Sequence, residues 1–368
     1  MDFKKDKRTV LTLDAGGTNF VFTAIQGFDQ VVDPVRLPAH ADNLEQSLNS
    51  ITEGFRQVRD RLNVKPSAIS FAFPGPADYP RGIIGDLGNL PAYRGGVALG
   101  PMLQAEFDLP VYINNDGDLY AYGEAIGGFL PKVNSWLRDY GNPKQFHNLF
   151  AITLGTGFGG GLVRNNDLYI GDNAAACEIW IVRNKLHPHS FAEEGASIRA
   201  VRRVYAEHAG IAFNDAPEPK DIYAIATGEK QGNRNAAVKA FDQLGEVVGD
   251  ALANAVTLFD SLIVIGGGLS GAHDQFLPAL VREMNSKLET LQGESVDRLV
   301  QNVYNLEDEQ QRQSFLKGEL KTIPVPGTGK KVEYDPEKRI GVGIASLETS
   351  QAVSIGAYAF ALHALDSQ

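Results

Sequence analysis

Two stretches of this chain share one shape, and they limit what it can fold into. "LTLDAGGTNFVFTAI" starts at Leu11 and "AITLGTGFGGGLVR" at Ala151. Each is an apolar, strand-like run, then a glycine-rich turn carrying a threonine, then a second strand-like run. Neither opens a helix directly. A phosphate-binding P-loop and a Rossmann turn both need strand, turn, then helix, so neither motif is present at these two places. A glycine turn between strands still leaves backbone N–H groups exposed with no side chain in the way, a concavity that binds anions. Thr18 and Thr156 add hydroxyl donors. Only the first copy carries an acid, Asp14. That carboxylate would repel phosphate unless Mg²⁺ lies between them, directly or through water.

The rest of the chain divides around these turns. Residues 9–37 hold three strand-like runs, "TVLTLDA", "NFVFTAIQ" and "QVVDPVRLP". "NLEQSLNSITEGFRQVRDRL" has apolar residues at helical spacing. "AISFAFPGP" reads as a buried strand ending in a Pro-Gly turn. "GPMLQAEFDLPVYINNDGDLYAYGEAIGGFL" reads as helix, strand, helix, so the first ~125 residues form an α/β unit. "LPKVNSWLRDYGNPKQFHN" is polar and reads as loop. After the second glycine turn, Asn165-Asn166 predicts a hairpin. Helices dominate from "GASIRAVRRVYAEHAG" onward, and "LIVIGGGLSGAHDQFLPALVREMNSKL" is a third strand-turn-helix. Residues 292–340 read as irregular, and "SQAVSIGAYAFALHAL" predicts a closing helix of small residues.

Composition removes whole classes of function. Of 368 residues, 43% are hydrophobic and 21% charged, so a packed core is expected. The net charge of −11 argues against nucleic acid as the main partner, because phosphate binding needs clustered Lys and Arg. Cys177 is the only cysteine, so no intrachain disulfide and no cysteine-built zinc site can form. The N-terminus shows no apolar stretch like a secretory signal, and no run of ~18 apolar residues spans a membrane. These features lead us to expect a cytoplasmic protein with neither membrane nor nucleic-acid partners.

Two further motifs carry chemistry. G-x-G-x-x-G occurs at Gly155-Gly157-Gly160, where a strand follows and a Rossmann reading fails. It occurs again at Gly266-Gly268-Gly271, after a strand and before a helix, where part of a dinucleotide could sit. In "INNDGDLYAYGEA", Asn115 and Asp116 fall between a strand end and a helix start. Asn and Asp are preferred N-caps there, and an Asp could equally take a proton from a substrate hydroxyl.

In this order, the pieces resemble the ROK family of sugar kinases, within the actin-like, hexokinase and heat-shock ATPase superfamily. "LDAGGTNF" resembles that superfamily's first phosphate motif. "FAFPGPAD" with "GNLPAY" resembles the ROK sugar-side loops, and "INNDGDLYAYGE" the Asn-Asp catalytic segment. "ITLGTGFGGGLVRNNDLYIGDNAAACEI" resembles the second phosphate motif and its sequel, and "IVIGGGLSG" the adenosine motif. The resemblance implies a two-lobed α/β fold of the actin-like ATPase (ribonuclease H-like) type with a cleft between the lobes. One lobe is expected over residues 1–116, joined by the closing helix 350–368, and the other over 117–349. It further implies ATP and Mg²⁺ as cofactors, a sugar substrate and a homodimer. By motif match, Asp116 is the general base. Asn115, Asp116, Glu178 and Glu193 are the sugar ligands. Asp14 holds Mg²⁺ through water. Asp14, Gly16, Gly17, Thr18, Asn19, Gly155, Thr156, Gly157, Gly267 and Gly268 form the nucleotide site.

This chain also departs from the family pattern. The family's Glu-x-Gly-His reads here Glu178-Ile179-Trp180-Ile181, so Ile181 stands where a histidine touches sugar and zinc. The cysteine-rich zinc loop is replaced by "NKLHPHSFAEEGAS", with only His187 and His189 as candidate ligands, and we expect no structural zinc. The reaction expected is ATP-dependent phosphorylation of a hexose at a primary hydroxyl, glucose first. Fructose, mannose or an N-acetylated amino sugar is the alternative substrate. A sugar-binding protein without turnover, or a ROK repressor, is the alternative function; with about eight residues before the first strand and an acidic charge, the repressor is disfavoured.

Overall fold

The computed structural model describes residues 2–75, 77–85 and 91–367. It divides into two compact units, one of residues 2–128, 161–176 and 347–367, the other of 129–160 and 177–346. Pro76 in "FAFPGPAD" and residues 88–90 of "GNLPAY" lie outside the described residues.

In the first unit, strand Val10–Ala15 pairs antiparallel with Asn19–Gln26 and parallel with Ala68–Ala72, which pairs parallel with Val111–Asn114. Alternation along these strands sorts the side chains onto two faces. Leu11, Leu13, Phe22, Phe71 and Phe73 face one way and pack with Ile51, Phe55 and Val58 of helix Leu44–Asp60. The rings of Phe55 and Phe22 lie 5.1 Å apart at 77°, an edge-on pair. Asn43 caps that helix, its side chain accepting from Gln46 N–H at 3.0 Å. The run "QVVDPVRLP" forms two short strands, Asp29–Gln30 and Val35–Pro38, both on Asn19–Gln26.

The opposite sheet face meets helix Thr349–Asp366 and, beside it, helix Asp116–Ile126. Their backbones touch. A Cβ on Gly123 would lie 1.9 Å from the Ala352 carbonyl oxygen, and one on Gly356 the same distance from that of Leu119. Only glycine allows this approach. The lobe boundary expected at Asp116 therefore falls at the start of a helix that stays with the first unit. Residues 161–176 also belong to this unit. A Cβ on Gly161 would meet Ala121 Cβ at 2.7 Å, and Asp167 lies 3.4 Å from His363 Nε2. Asn165 and Asn166 both take positive φ, 52° and 66°, in the turn between Leu162–Arg164 and Asp167–Tyr169. That matches the expected hairpin.

The second unit carries four parallel strands, in the order Asn148–Leu154, Leu262–Gly266, Arg339–Ile344, Asn302–Asn305. Helices Arg234–Phe259 and His273–Met284 pack beside them, and Ile198–Ala209 packs on Arg234–Phe259. Two expectations are corrected here. The stretch read as loop, Leu130–Asn148, holds all but the first residue of helix Phe129–Tyr140. Its Phe129, Leu130, Val133 and Leu137 are buried along one stripe, and polar residues on the other faces mask that period. Residues 292–340, read as irregular, contain strand Asn302–Asn305, helix Glu309–Lys317, the hairpin Lys321–Pro324 with Lys331–Tyr334, and the second strand, Ser295–Asp297, of a hairpin begun by Lys287–Glu289. The segment is held partly by charge. Arg339 is 2% exposed, lies 2.6 Å from Asp335 and 3.4 Å from Glu337, and stacks on the Phe315 ring at 5.2 Å. A buried arginine in a polar stretch gives no apolar periodicity to read.

Candidate active site

The first unit carries a cavity of about 330 Å³, open to solvent, with Asp14 and Asp116 both in its lining. Asp14 is near the end of strand Val10–Ala15, and Asp116 opens helix Asp116–Ile126. Both are exposed. The capping question resolves in favour of Asn115. It is the N-cap, its Oδ1 accepting from Gly117 N–H at 2.8 Å, while Asp116 is the first helical residue. Asp116 Oδ1 also accepts from Gly117 N–H, at 3.0 Å. Asn115 Nδ2 donates to the Tyr79 hydroxyl at 3.4 Å, and that hydroxyl donates to Phe73 O at 3.0 Å. A carboxylate in the first helical turn is stabilised by the helix dipole.

Thr12, Thr349, Ser350 and Ser354 also line the cavity, and the sequence reading missed all four. Thr12 was open to inference, since it stands two residues before Asp14 and shares its face. The three on the closing helix give no local signal. Thr12 Oγ1, Ser70 Oγ and Asn114 Nδ2 are buried without hydrogen-bond partners among the described residues. They sit on adjacent strands of one sheet, on the side away from the aromatic core. Such groups are normally met by ordered water or an ion. Two carboxylates beside hydroxyls suit a hydrated divalent cation, which keeps several waters and takes one or two carboxylates.

In the turn after Asp14, the two glycines differ. A Cβ on Gly16 would sit 2.9 Å from Asn19 O, so the turn itself excludes a side chain. Gly17 has nothing within 4 Å of that position, and its φ is not positive. The fold does not require glycine there, but a close-approaching ligand would. Thr18 is exposed and Asn19 begins the next strand.

The second unit brings three sequence-distant pieces together. Gly155 N–H donates to Gly157 O at 3.0 Å across the turn holding Thr156, and Ile198 N–H at the start of its helix donates to Gly155 O at 2.8 Å. Leu269 N–H donates to Leu154 O at 3.0 Å, which fixes the Gly267-Gly268 turn alongside. Gly267 has φ 84° and its missing Cβ would lie 2.4 Å from Leu154 O, a structural glycine. Gly268 is open, like Gly17. Glu193 is locked to the same turn: its Oε2 accepts from Phe158 N–H at 3.0 Å and would sit 2.9 Å from a Cβ on Gly157.

Glu178 is exposed, and the Trp180 indole N–H donates to its carboxylate. Trp180 in turn meets the Phe191 ring edge-on at 5.6 Å. Ile181 is 60% exposed. The stretch expected in place of a zinc loop is organised by buried Asn184. Its Oδ1 accepts from Leu186 and His187 N–H at 2.9 and 3.1 Å, and its Nδ2 donates to Phe191 O at 3.3 Å. His187 and His189 are exposed. No group of three His, Cys, Asp or Glu side chains suited to a metal occurs among the described residues. No helix of the described residues is long and apolar enough to cross a membrane.

Comparison with known proteins gives a consistent picture. The family model described as the ROK family matches residues 10–308. The chain is 25% identical over 282 residues to a glucokinase of Thermotoga maritima, covering 72% of this chain and 84% of that one. It is 26% identical over 275 residues to an N-acetyl-D-glucosamine kinase of Aliivibrio fischeri, covering 70% and 83%. The crystal structure of a glucokinase from Parabacteroides distasonis is 53% identical, covers 99% of both chains and superposes with a TM-score of 0.91.

Proposed function

Because this chain belongs to the ROK family, and is an ATP-dependent sugar kinase of it, we propose that it phosphorylates glucose at its primary hydroxyl. The observation that carries this reading is the cavity shared by Asp14 and Asp116, with Asn115 taking over the capping that Asp116 could otherwise have supplied. Asp116 shares the Gly117 N–H through its Oδ1 and keeps its Oδ2 for a substrate. In the reaction the sugar oxygen bonds to the γ-phosphorus as the bond to the ADP oxygen breaks. Asp116 orients the attacking hydroxyl and takes its proton. Asp14 would hold Mg²⁺ through water, and the ion when bound offsets phosphate charge. Gly16, Gly17 and Thr18 of the first unit, and Gly155, Thr156, Gly157, Gly267 and Gly268 of the second, are the proposed nucleotide residues.

Asn115, Glu178 and Glu193 are the proposed sugar ligands beside Asp116. A carboxylate takes two hydroxyl donors, and an amide both donates and accepts, a set that suits a polyol. Trp180 fixes the Glu178 carboxylate. Glu193 spends one oxygen on the Phe158 N–H, which leaves its Oε1 for a sugar hydroxyl. The reading extends to a cytoplasmic, homodimeric enzyme without structural zinc; a single cysteine fits a reducing compartment.

A second reading, a kinase for another hexose, is favoured by Ile181. An isoleucine in place of a polar contact admits a changed substituent, and similarity to an N-acetylglucosamine kinase equals that to a glucokinase among the curated relatives. The 53% identity to a solved glucokinase weighs towards glucose. A coupled ADP-release assay over glucose, mannose, fructose and N-acetylglucosamine tests both. Highest kcat/KM on glucose is the expected result. A different best hexose selects the second reading, and a best substrate with no hexose ring overturns the sugar-kinase reading.

A further inference from the structure

Of the four sugar ligands proposed above, Asp116, Glu178 and Glu193 are carboxylates, and an ionised carboxylate only accepts hydrogen bonds. The Asn115 amide is the one donor in the set, so the way it faces decides which sugar oxygen it can serve. The two ends of an amide are alike in shape, and its orientation is read from its partners. Both ends of Asn115 have one. Its Oδ1 accepts from Gly117 N–H at 2.8 Å, and its Nδ2 donates to the Tyr79 hydroxyl at 3.4 Å. That hydroxyl has a single hydrogen, which goes to Phe73 O at 3.0 Å. Towards Asn115 the Tyr79 oxygen therefore offers a lone pair alone. A flipped amide would set oxygen against oxygen at Tyr79 and NH₂ against the Gly117 N–H.

The hydroxyl is itself held in place. Tyr79 is 6% exposed and opens the short 3-10 turn Tyr79–Arg81. A Cβ on Gly75 would lie 2.8 Å from the Tyr79 oxygen, so the turn after strand Ala68–Ala72 makes room for this hydroxyl by carrying glycine. Phe73, the acceptor, is tied through its own N–H to Asn114 O at 2.9 Å. One buried hydroxyl thus joins the end of one strand to the residue just past the end of its neighbour.

We propose that Tyr79 is a positioning residue of the sugar site: its hydroxyl fixes the Asn115 amide so that the second Nδ2 hydrogen is given to a hydroxyl oxygen of the hexose. The inference rests on Asn115 as a sugar ligand and adds the polarity of its contact. The sugar accepts at the hydroxyl that Asn115 meets, and donates at those met by the carboxylates.

Steady-state kinetics of Tyr79→Phe and Asn115→Ser test this. Phenylalanine keeps the ring and removes the hydroxyl; serine keeps an N-cap and removes the amide. Tyr79→Phe is expected to raise the sugar KM by ~5-fold, with kcat and the ATP KM within ~2-fold, the pattern of lost ground-state binding. In the Asn115→Ser background the same change should move the sugar KM by less than ~2-fold, because Tyr79 acts through Asn115. A general loosening of the fold would instead add to the effect of Asn115→Ser and spread to ATP. The wild type gives a second measurement, with deoxy and deoxyfluoro analogues of the preferred hexose. Fluorine accepts a hydrogen bond but donates none. One position should therefore lose at least ~3-fold less kcat/KM to fluorine than to hydrogen, and Tyr79→Phe should erase that difference. An unchanged sugar KM in Tyr79→Phe, additive effects, or no position that favours fluorine overturns the positioning role, even where Asn115→Ser raises the sugar KM. An unchanged sugar KM in Asn115→Ser overturns the ligand assignment beneath it.

Discussion

Asp14 and Asp116 are the two residues whose neighbourhood changes what they can do. Asn115 makes the N-cap bond, so removing charge from Asp116 should not unfold the helix. Asp116→Asn is expected to lower kcat by at least ~10²-fold with melting temperature and sugar affinity nearly unchanged. Near-normal turnover in that variant would sink its assignment as base. Asn115→Ala, by contrast, should cost about 1 kcal/mol of stability. The glycines separate in the same way. Gly17 and Gly268 have open space where a Cβ would go and no positive φ. Alanine at either should therefore leave chemical denaturation unchanged but raise the Kd for ATP by ~10-fold or more, since a methyl would stand where a phosphate or sugar oxygen approaches. Unchanged ATP titration would mean these turns are only turns. Gly157 is a poorer probe, because a side chain there strikes Glu193 first.

At the scale of elements, the approach of Thr349–Asp366 to Asp116–Ile126 sets where Thr349, Ser350 and Ser354 stand in the cavity. Gly356→Ala puts a methyl 1.9 Å from the Leu119 carbonyl oxygen. Moving either backbone should cost about 3 kcal/mol or more. Equilibrium denaturation measures this, and a loss under about 1 kcal/mol would show the helices can separate cheaply. The 182–192 loop is tied by backbone bonds such as Ala192 N–H to Val182 O at 2.8 Å, by Lys185 paired with Glu246 and Glu283, and by the one buried polar side chain inside it, Asn184. Asn184→Ala removes three hydrogen bonds to buried or half-buried backbone groups, and should destabilise by about 1–3 kcal/mol. A zinc chelator should leave the wild-type melting temperature unchanged, and metal analysis finding one zinc per chain would contradict that.

For the molecule as a whole, stability at low pH should depend on the charge cluster that ties residues 302–344 to the second unit. Burial opposes the charge of Asp335, but hydrogen bonds from Asn142 and Arg339 outweigh it and hold the carboxyl at about 2, against an ordinary 3.8. A depressed carboxylate stabilises the fold above its unfolded pKa and loses that stabilisation as pH falls through the folded one. The contribution, about 2 kcal/mol, should be full above pH ~4 and gone near pH 2. Melting curves of the wild type and Asp335→Asn should differ most near pH 6 and converge towards pH 2. A gap independent of pH would remove Asp335 from the acid response.

The sequence by itself determined the features that depend on neighbours along the chain. The strand-turn-strand repeat, the helix of residues 44–60, the Asn-Asn hairpin and the positions of Asp14 and Asp116 all follow from local periodicity and turn chemistry. Those signals act within about ten residues, so one chain segment is enough to read them. Helix Phe129–Tyr140 and the elements of residues 292–340 escaped because a four-residue apolar stripe and a buried arginine leave little periodicity. Which residue caps the helix at Asn115, and which glycines a fold needs rather than a ligand, became decidable only in three dimensions. The reason is that a missing Cβ and a carboxylate oxygen are judged by what approaches them. For Gly356 that is a carbonyl more than two hundred positions away in the sequence, and for Glu193 a backbone N–H from a separate strand.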